Sequence, residues 1–448
     1  MSNPDRPLPA AGPSREEIAR IEVGHTDVAP ALARWLVAAF LAAIATVPII
    51  EIVAARAADP AAGTWSQFRD LPEHVRSHLS GVAAPGATLW RRIVLANREV
   101  LARLSSFERA LDDESLLGRT LRQPAQRLMV GWLGSGNEQV YVGHDGWLFY
   151  RADVEYITGQ PFLDPTQLDR RAAAASEWTT PPQPDPREAI IRFHRDLDAR
   201  GIRLIVMPTP LKPGVHPEML AGVTAPTRVL QNRSFPALVE DLRRAGILVF
   251  DPGDRLAAAR SANPRYLMTD THWLPETMEE VAELLGAFIE AHVPMPAATD
   301  PAYRLERLEV RNLGDTARML ELPEHDPVFP AEAVWLRQIL QPDGSRWRSS
   351  RTADVLLLGD SFSNMYSLES LGWGSSAGFA EQLSYVLRRP LDRLLQNDQG
   401  AFATRALLQQ DPGRLAGKRL VVYQFAAREL AAGDWKVIPL RAVDSLSR

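Results

Sequence analysis

One stretch constrains this chain more than any other: Val355-Leu356-Leu357-Leu358-Gly359-Asp360-Ser361-Phe362-Ser363. Four apolar residues run straight into Gly-Asp-Ser. A short continuous apolar run that meets turn residues reads as a strand buried on both faces, as in a parallel sheet under helices. Such sheets gather their ligands at the carboxyl ends of their strands, and this pattern puts Ser361 there. Gly359 is read as the residue that lets the chain turn sharply out of the strand. The Ser361 hydroxyl is then exposed, and N–H groups of the turn can face a developing oxyanion. The plain alternative is a turn serine with no chemistry. Asp360 is read as structural, accepting backbone N–H bonds in the turn.

A serine hydroxyl is a weak nucleophile without a base. The best base upstream lies in Thr269-Asp270-Thr271-His272-Trp273. His272 is a natural proton acceptor near neutral pH, and Asp270, two residues before it, is close enough to hold its ring nitrogen. Asp, His and Ser make a hydrolase-type triad, which is recognised by geometry and not by chain order. The chain has nine histidines, most of them expected to be ordinary hydrogen-bonded residues. His272 stands out because Asp270 precedes it and a helix pattern follows it. No His-Glu-x-x-His is present, and no cysteine could complete a zinc set, so no metal is expected.

With these residues in view, the chain resembles the SGNH-hydrolase-like alginate O-acetyltransferases of the AlgJ/AlgX type. Gly-Asp-Ser-Phe and Asp-x-His-Trp carry the likeness, in an order (Asp270 and His272 before Ser361) that is the reverse of ordinary SGNH hydrolases. Val142-Gly143-His144-Asp145-Gly146-Trp147-Leu148-Phe149 resembles the family's entry strand. Pro208-Thr209-Pro210-Leu211-Lys212 with His216-Pro217-Glu218 resembles its Pro-x-Lys and Tyr-Pro-Glu region, with His where Tyr is common. The likeness covers roughly residues 137 to 440. It implies a permuted SGNH-like, flavodoxin-like three-layer α/β/α sandwich with a parallel sheet, preceded by one transmembrane helix. It also implies O-acetylation of an exported polysaccharide through an acetyl-Ser361 intermediate, with His272 as base then acid and Asp270 orienting it. No bound cofactor is expected. The acetyl group would come ultimately from acetyl-CoA through a membrane-bound O-acyltransferase partner. Two other readings stay open: an SGNH-type carbohydrate acetylesterase, and a non-catalytic polysaccharide-binding scaffold.

The residues around the triad divide less cleanly. Trp273 is read either as a stacking surface for a sugar ring or as a core aromatic. Lys212 and Arg428 follow two strands at their carboxyl ends, where they would bind an anionic polysaccharide, brace the site or form surface ion pairs. Asn364, three residues after Ser361, has an amide that could donate to an oxyanion. The usual SGNH Gly and Asn blocks are not recognisable, so the sequence names no second oxyanion donor.

Composition sets the remaining bounds. The 448 residues are 46% hydrophobic and 23% charged, an ordinary globular balance. The net charge of −5 has no basic excess of the kind that marks nucleic-acid binding. With no cysteine, disulfides and thiolate chemistry are excluded. Residues 1–30 are polar and proline-rich and read as a disordered cytoplasmic tail. Trp35 to Ile50 is apolar except for Thr46 and Pro48. Sixteen residues at ~1.5 Å each give about 24 Å, which Ile52 to Ala55 extend toward a ~30 Å bilayer core. Residues 31–57 are therefore expected to form a transmembrane signal-anchor, with Arg15, Arg20 and Arg34 favouring an N-terminus inside. The catalytic domain would then lie in the periplasm. A buried core helix, or a signal peptide cleaved near Ala55-Arg56-Ala57, is the alternative.

Residues 58–136 read as a helical, membrane-proximal segment and 137–448 as the acetyltransferase domain. Within the latter, helix patterns (Ile190–Leu197, Phe235–Leu242, Met278–Ile289) alternate with strand patterns (Ile202–Met207, Ile247–Phe250, Val355–Leu358, Leu420–Phe425). That alternation implies a parallel sheet with helices on both faces. Val140 to Tyr150 reads as a hairpin, 160–186 as a surface loop, and 293–350 as irregular with a turn at Pro342-Asp343-Gly344.

Overall fold

The computed structural model describes residues 29–58, 70–80, 82, 86, 88–114, 116–174, 180–224, 226–260, 263–323, 326–397 and 400–440. The expected cytoplasmic tail lies almost wholly outside them. The chain divides into two compact units, Met1–Arg122 and Gln123–Arg448.

In the first unit the apolar run lies in a 29-residue helix, Pro30–Ala58. Ala43, Val47, Pro48, Glu51 and Ile52 lie outside the described side chains. Among the described residues no helix is long and apolar enough to cross a membrane. The helical pattern expected for residues 58–136 takes the form of Leu71–Ser80, Leu89–Glu114 and Leu116–Leu133.

The second unit is built on a five-stranded sheet. Its strands are β3 (Arg203–Thr209), β4 (Leu248–Val249), β7 (Val355–Gly359), β8 (Asp392–Leu395) and β9 (Leu420–Ala426), in the order β4-β3-β9-β7-β8. Every pairing is parallel. All residues of β7 and β9 are buried, whichever way their side chains point, so both faces are covered, as the apolar run implies. Each such Val, Leu or Phe removed from water stabilises the fold by about 1.5–3 kcal/mol.

Local signals place the covering helices. Asp185 accepts a hydrogen bond from the Arg187 N–H at 2.9 Å, and Pro186 opens the helix Pro186–Asp198; such caps contribute roughly 1 kcal/mol. Ala189, Ile190, Phe193 and Leu197 form its buried stripe. The chain leaves through Gly201 at φ +69°, a left-handed conformation that suits glycine. This helix packs on Phe235–Arg244, and Pro275–His292 packs on Phe379–Val386.

Two antiparallel pairs sit beside the sheet. β1 (Val140–Val142) and β2 (Leu148–Tyr150) form the expected hairpin. β5 (Arg304–Asn312) and β6 (Glu332–Leu340) pair over nine residues, where the sequence reads as irregular. β5 is Arg-Leu-Glu-Arg-Leu-Glu-Val-Arg-Asn and exposed over most of its length, so it lacks the apolar alternation that betrays a strand. The expected surface loop at 160–186 likewise contains the helix Pro165–Ala172.

Candidate active site

Ser361 stands two residues past the end of β7, after Gly359 and Asp360, and opens the one-turn helix Ser361–Asn364. Asp360 caps that turn: its Oδ1 accepts from the Phe362 N–H at 2.9 Å. It also receives the Gln424 amide at 2.8 Å and, on Oδ2, the Ala426 N–H at 2.6 Å. Asp360 is thus structural, as its position in the turn suggests. Gly359 is needed for a different reason from the one expected. Its φ is not among the positive ones; instead, a Cβ there would lie 2.6 Å from the Ser363 hydroxyl and 2.9 Å from Gln424 Oε1. Close approach, and not a left-handed turn, calls for glycine.

The loop bearing Asp270 and His272 meets this turn from 89 residues away. His272 Nε2 lies 2.9 Å from Ser361 Oγ, and His272 Nδ1 lies 2.7 Å from Asp270 Oδ1. The network sets the tautomer: Nδ1–H donates to the carboxylate, leaving the Nε2 lone pair to accept the serine O–H.

Asp270 is buried, and four donors saturate it. Its Oδ1 also takes the His272 N–H at 3.1 Å. Its Oδ2 takes the Asp315 N–H at 3.0 Å and the Trp373 indole N–H at 3.1 Å. Burial works against its charge, yet the His272 bond and these donors hold its pKa below the ordinary carboxylate value. Burial likewise opposes a charged His272, but Asp270, with Asp315 behind it, raises the imidazole's pKa.

The loop is tied down on every side. Asp315 accepts the Thr271 N–H at 2.7 Å and its hydroxyl at 2.5 Å. Burial, with the Asp270 charge beside it, pushes the Asp315 carboxyl up to about 6. Glu332 accepts the Met268 N–H at 2.9 Å, the Thr269 N–H at 2.8 Å and the Thr269 hydroxyl at 2.6 Å. A Cβ on Gly314 would meet the Thr269 carbonyl at 1.9 Å, so only glycine lets the Asp315 turn close on the loop.

Asp270, His272 and Asp315 have ligand-type atoms within 4.8 Å of one another. Asp270 and Asp315 are filled by N–H and O–H donors, however, and the His272 nitrogens face Asp270 and Ser361. The set is a hydrogen-bond network and does not fit a metal.

The other expected site residues fare unevenly. Lys212 does not face solvent. It is fully buried, and its ammonium donates to the carbonyls of Leu148 (2.5 Å), Met268 (2.7 Å) and Asp270 (3.0 Å). Burial draws its pKa down to about 8, against the pull of Glu332 and Asp270. All three ammonium donors are used, so Lys212 pins the Asp270 loop to β2 and has none left for a polymer. Trp273 is also fully buried, against Phe362 and Phe379; it is a core aromatic and offers no face to a sugar. Asn364 donates its amide to Asn397 Oδ1 at 3.0 Å, which turns it from the role expected.

Arg428 both braces and faces the site. Its Nη1 donates to the buried Asp153 at 2.8 Å. Together with Ser361, Asn397, Thr404 and Glu429 it lines a small cavity of about 40 Å³. The Ser361 N–H has no hydrogen-bond partner among the described residues.

Sequence reasoning missed Asp315, Glu332 and Trp373. They reach the site from 45, 63 and 103 residues along the chain, and no local pattern marks them.

A parallel sheet that carries a Ser–His–Asp hydrogen-bonded line beyond the carboxyl end of a central strand defines an SGNH-like α/β protein. Residues 140–427 match the family described as SGNH hydrolase-like domain, acetyltransferase AlgX, and the chain belongs to that family. The chain is 28% identical over 314 residues to the probable alginate O-acetylase AlgJ of Pseudomonas aeruginosa, covering 66% of this chain and 71% of that protein. Its counterpart in Azotobacter vinelandii is 26% identical over 340 residues, covering 72% and 78%. Among solved structures, the O-acetyltransferase domain of Pseudomonas putida AlgJ aligns with a TM-score of 0.49 at 20% identity, over 65% of this chain and 92% of that chain.

Proposed function

We propose that this protein O-acetylates hydroxyl groups of an exported polysaccharide through an acetyl-Ser361 intermediate. One observation carries the reading: an unbroken Asp270–His272–Ser361 hydrogen-bond line in a chain of an acetyltransferase family. In the first half-reaction His272 Nε2 takes the Ser361 proton as Oγ attacks the acetyl carbonyl of the donor. Negative charge develops on the carbonyl oxygen, where the unpartnered Ser361 N–H can receive it. The donor's leaving group departs with the proton from His272. In the second half-reaction the acceptor hydroxyl gives its proton to Nε2 and attacks the acetyl-serine. Ser361 leaves as the alcohol, reprotonated by His272. Asp270 stays ionised throughout and stabilises the imidazolium.

An esterase would use the same residues with water as acceptor. A transferase must favour a bound hydroxyl over ~55 M water, which well-placed acceptors achieve because effective molarities reach about 10⁵ M or more. The test is the intact mass of the purified protein after addition of an activated acetyl ester. One acetyl should appear on Ser361 and leave faster with an acceptor oligosaccharide, yielding acetylated sugar. Release at the same rate into water alone would leave an esterase.

The location and partner follow from the same reading. The run Trp35–Ile50, with Arg34 before it, would anchor the protein in the inner membrane with the catalytic unit in the periplasm. A membrane-bound O-acyltransferase would there pass on acetyl groups drawn from acetyl-CoA. A reporter active only outside the cytoplasm should work when fused after Arg448 and fail when fused after Met1; the opposite pattern would overturn the topology.

A further inference from the structure

β5 is the open edge of its two-stranded sheet. β6 pairs with one side of it over all nine residues from Arg304 to Asn312; no described residue takes the N–H and C=O groups of the other side. Residues 304–309 are exposed one after another, whichever face they point to, so the strand overhangs the body of the catalytic unit. Long open edges recruit further strands unless the fold blunts them, and charged side chains are one blunting device. β5 carries such charges, but it also leaves Leu305 at 42% and Leu308 at 38% exposed. Among the described residues neither Arg307 nor Glu309 has an ion-pair partner; the Arg307 guanidinium rests over the Trp335 ring at 5.0 Å.

We infer that β5 pairs antiparallel with the β5 of a second copy of this chain, about a two-fold axis through Leu308. The order of the charges selects both the partner and the register. A two-fold axis normal to the sheet keeps the outer faces of both copies on one side, so the residue on the axis meets itself and the others pair symmetrically about it. With Leu308 on the axis, Arg304 reaches the partner's Asn312 and the whole strand overlaps. On the outer face Arg307 then meets the partner's Glu309, and Glu309 the partner's Arg307. On the inner face Leu308 meets the partner's Leu308 and extends the row begun by Leu336, which is opposite Leu308 and buried. Moving the axis by one residue sets Arg307 on Arg307 or Glu309 on Glu309, and like charges directly opposite destabilise a sheet. Moving it by two leaves only residues 304–308 or 308–312 overlapped. The register that uses the whole edge is thus the one in which its unlike charges meet. Blunting alone is served by charge of one sign, whereas here the sign reverses across the centre of the strand. Joining the edges also turns two marginal two-stranded ribbons into one four-stranded sheet. After Asn312 the chain turns at Gly314 and donates the Asp315 N–H to Asp270, and β6 begins with Glu332, which accepts the Met268 and Thr269 N–H groups. The pairing therefore links two copies through the ribbons that hold their triad loops.

The chain has no cysteine, so one introduced thiol reports the register. Cα atoms directly opposite in an antiparallel pair are about 4.5–5.5 Å apart, within reach of a disulfide. The full-length protein carrying Leu308→Cys, in mild detergent with a mild oxidant, should form a disulfide-linked dimer. The similarly exposed Leu305→Cys should not, because the axis leaves the two copies of that position about 20 Å apart, at ~3.4 Å per residue. In the Leu308→Cys background Arg307→Glu alone, or Glu309→Arg alone, should slow crosslinking roughly tenfold, since two attractive cross-strand pairs become repulsive. Both changes in one chain should restore it. When the two single variants are mixed, one of them lengthened by a tag, they should link to each other in preference to themselves. No dimer from a folded Leu308→Cys protein, equal dimer from Leu305→Cys, or indifference to the charge changes would overturn the inference.

Discussion

The two ends of the central sheet hold buried charges in opposite ways. At the amino end Asp392 opens β8 fully buried. Arg414 contacts it at 2.5 and 2.8 Å, Lys418 at 3.3 Å and Ser349 at 3.1 Å. Beside it, Arg389 pairs with Asp354 at 2.7 Å, just before β7. Both Asp392 oxygens are matched, and although burial opposes its charge, Arg414 and Lys418 keep its pKa below the ordinary value. At the carboxyl end the matching is incomplete. The Ser361 N–H is unpartnered, Asp153 Oδ2 is buried without a hydrogen bond, and burial raises the Asp153 pKa against the pull of Arg428. Unsatisfied buried polar groups cost free energy. The amino end is the more closed of the two, though Arg389 Nε is buried there without a partner, and the carboxyl end has its unmatched groups beside Ser361, where the reaction would occur.

The sharpest way to break this comparison is to exchange the expected effects. Ser361→Ala or His272→Ala should lower acetyl-ester turnover by roughly four to six orders of magnitude, because triad members act as a unit; Asp270→Asn should cost about 10⁴. Thermal unfolding should barely move. Near-normal turnover in Ser361→Ala would remove the open end's chemistry. At the closed end, Asp392→Ala strands Arg414 and Lys418 and should cost about 3–5 kcal/mol of stability, with turnover per folded molecule preserved. A stable Asp392→Ala protein of low activity would erase the distinction.

Lys212 joins the two behaviours, being fully matched yet beside the triad. Lys212→Met removes the pin under the Asp270 loop. It should lower kcat by roughly 10- to 100-fold with little change in KM, as a misplacement far from the chemistry can. An unchanged kcat in a well-folded variant would make Lys212 only a stabiliser.

The smallest effect is a displacement on the pH axis. His272 must be neutral to accept a proton, and its pKa is raised by Asp270. The acid limb of kcat/KM should therefore lie above the ordinary histidine value of ~6.5, and in Asp270→Asn it should move lower. For stability the sign is set by Asp392, whose pKa is lowered. Its contribution is present above the ordinary carboxylate value of ~3.9 and is lost as pH falls through the lower folded value. The unfolding temperatures of wild type and Asp392→Asn should converge in that acid range and stay apart near neutrality.

The parts that the sequence discloses are those encoded locally. Val355–Leu358 declares a buried strand, Asp270-x-His272 a short-range orienting pair, and Ile190, Phe193 and Leu197 a helix face. What it hides depends on partners far along the chain. Of the three readings of Lys212, as polymer-binding cation, brace or surface ion pair, only the brace survives, and nothing near it in sequence predicts three carbonyl acceptors from two other segments. Asn364 has the right spacing from Ser361, but Asn397 takes its amide. Strand β8 (Asp-Arg-Leu-Leu) is too short and polar to show periodicity, and charge masks β5. Trp273 could be read either way, and burial decides for the core.

The separation between the triad's members bears on when the site comes into being. His272 and Ser361 are 89 residues apart, and Gln424, which holds the Asp360 turn, bonds Thr209 across 215 residues. Closing such long loops is slow and entropically costly. Lys212 cannot leave water until β2 and the Asp270 loop supply its carbonyls. On the proposed mechanism Ser361 gains its base only once the His272 loop has closed on it. A chain cut short before β9 would lack Gln424 and Arg428 as well, and with them the bonds that hold the Asp360 turn.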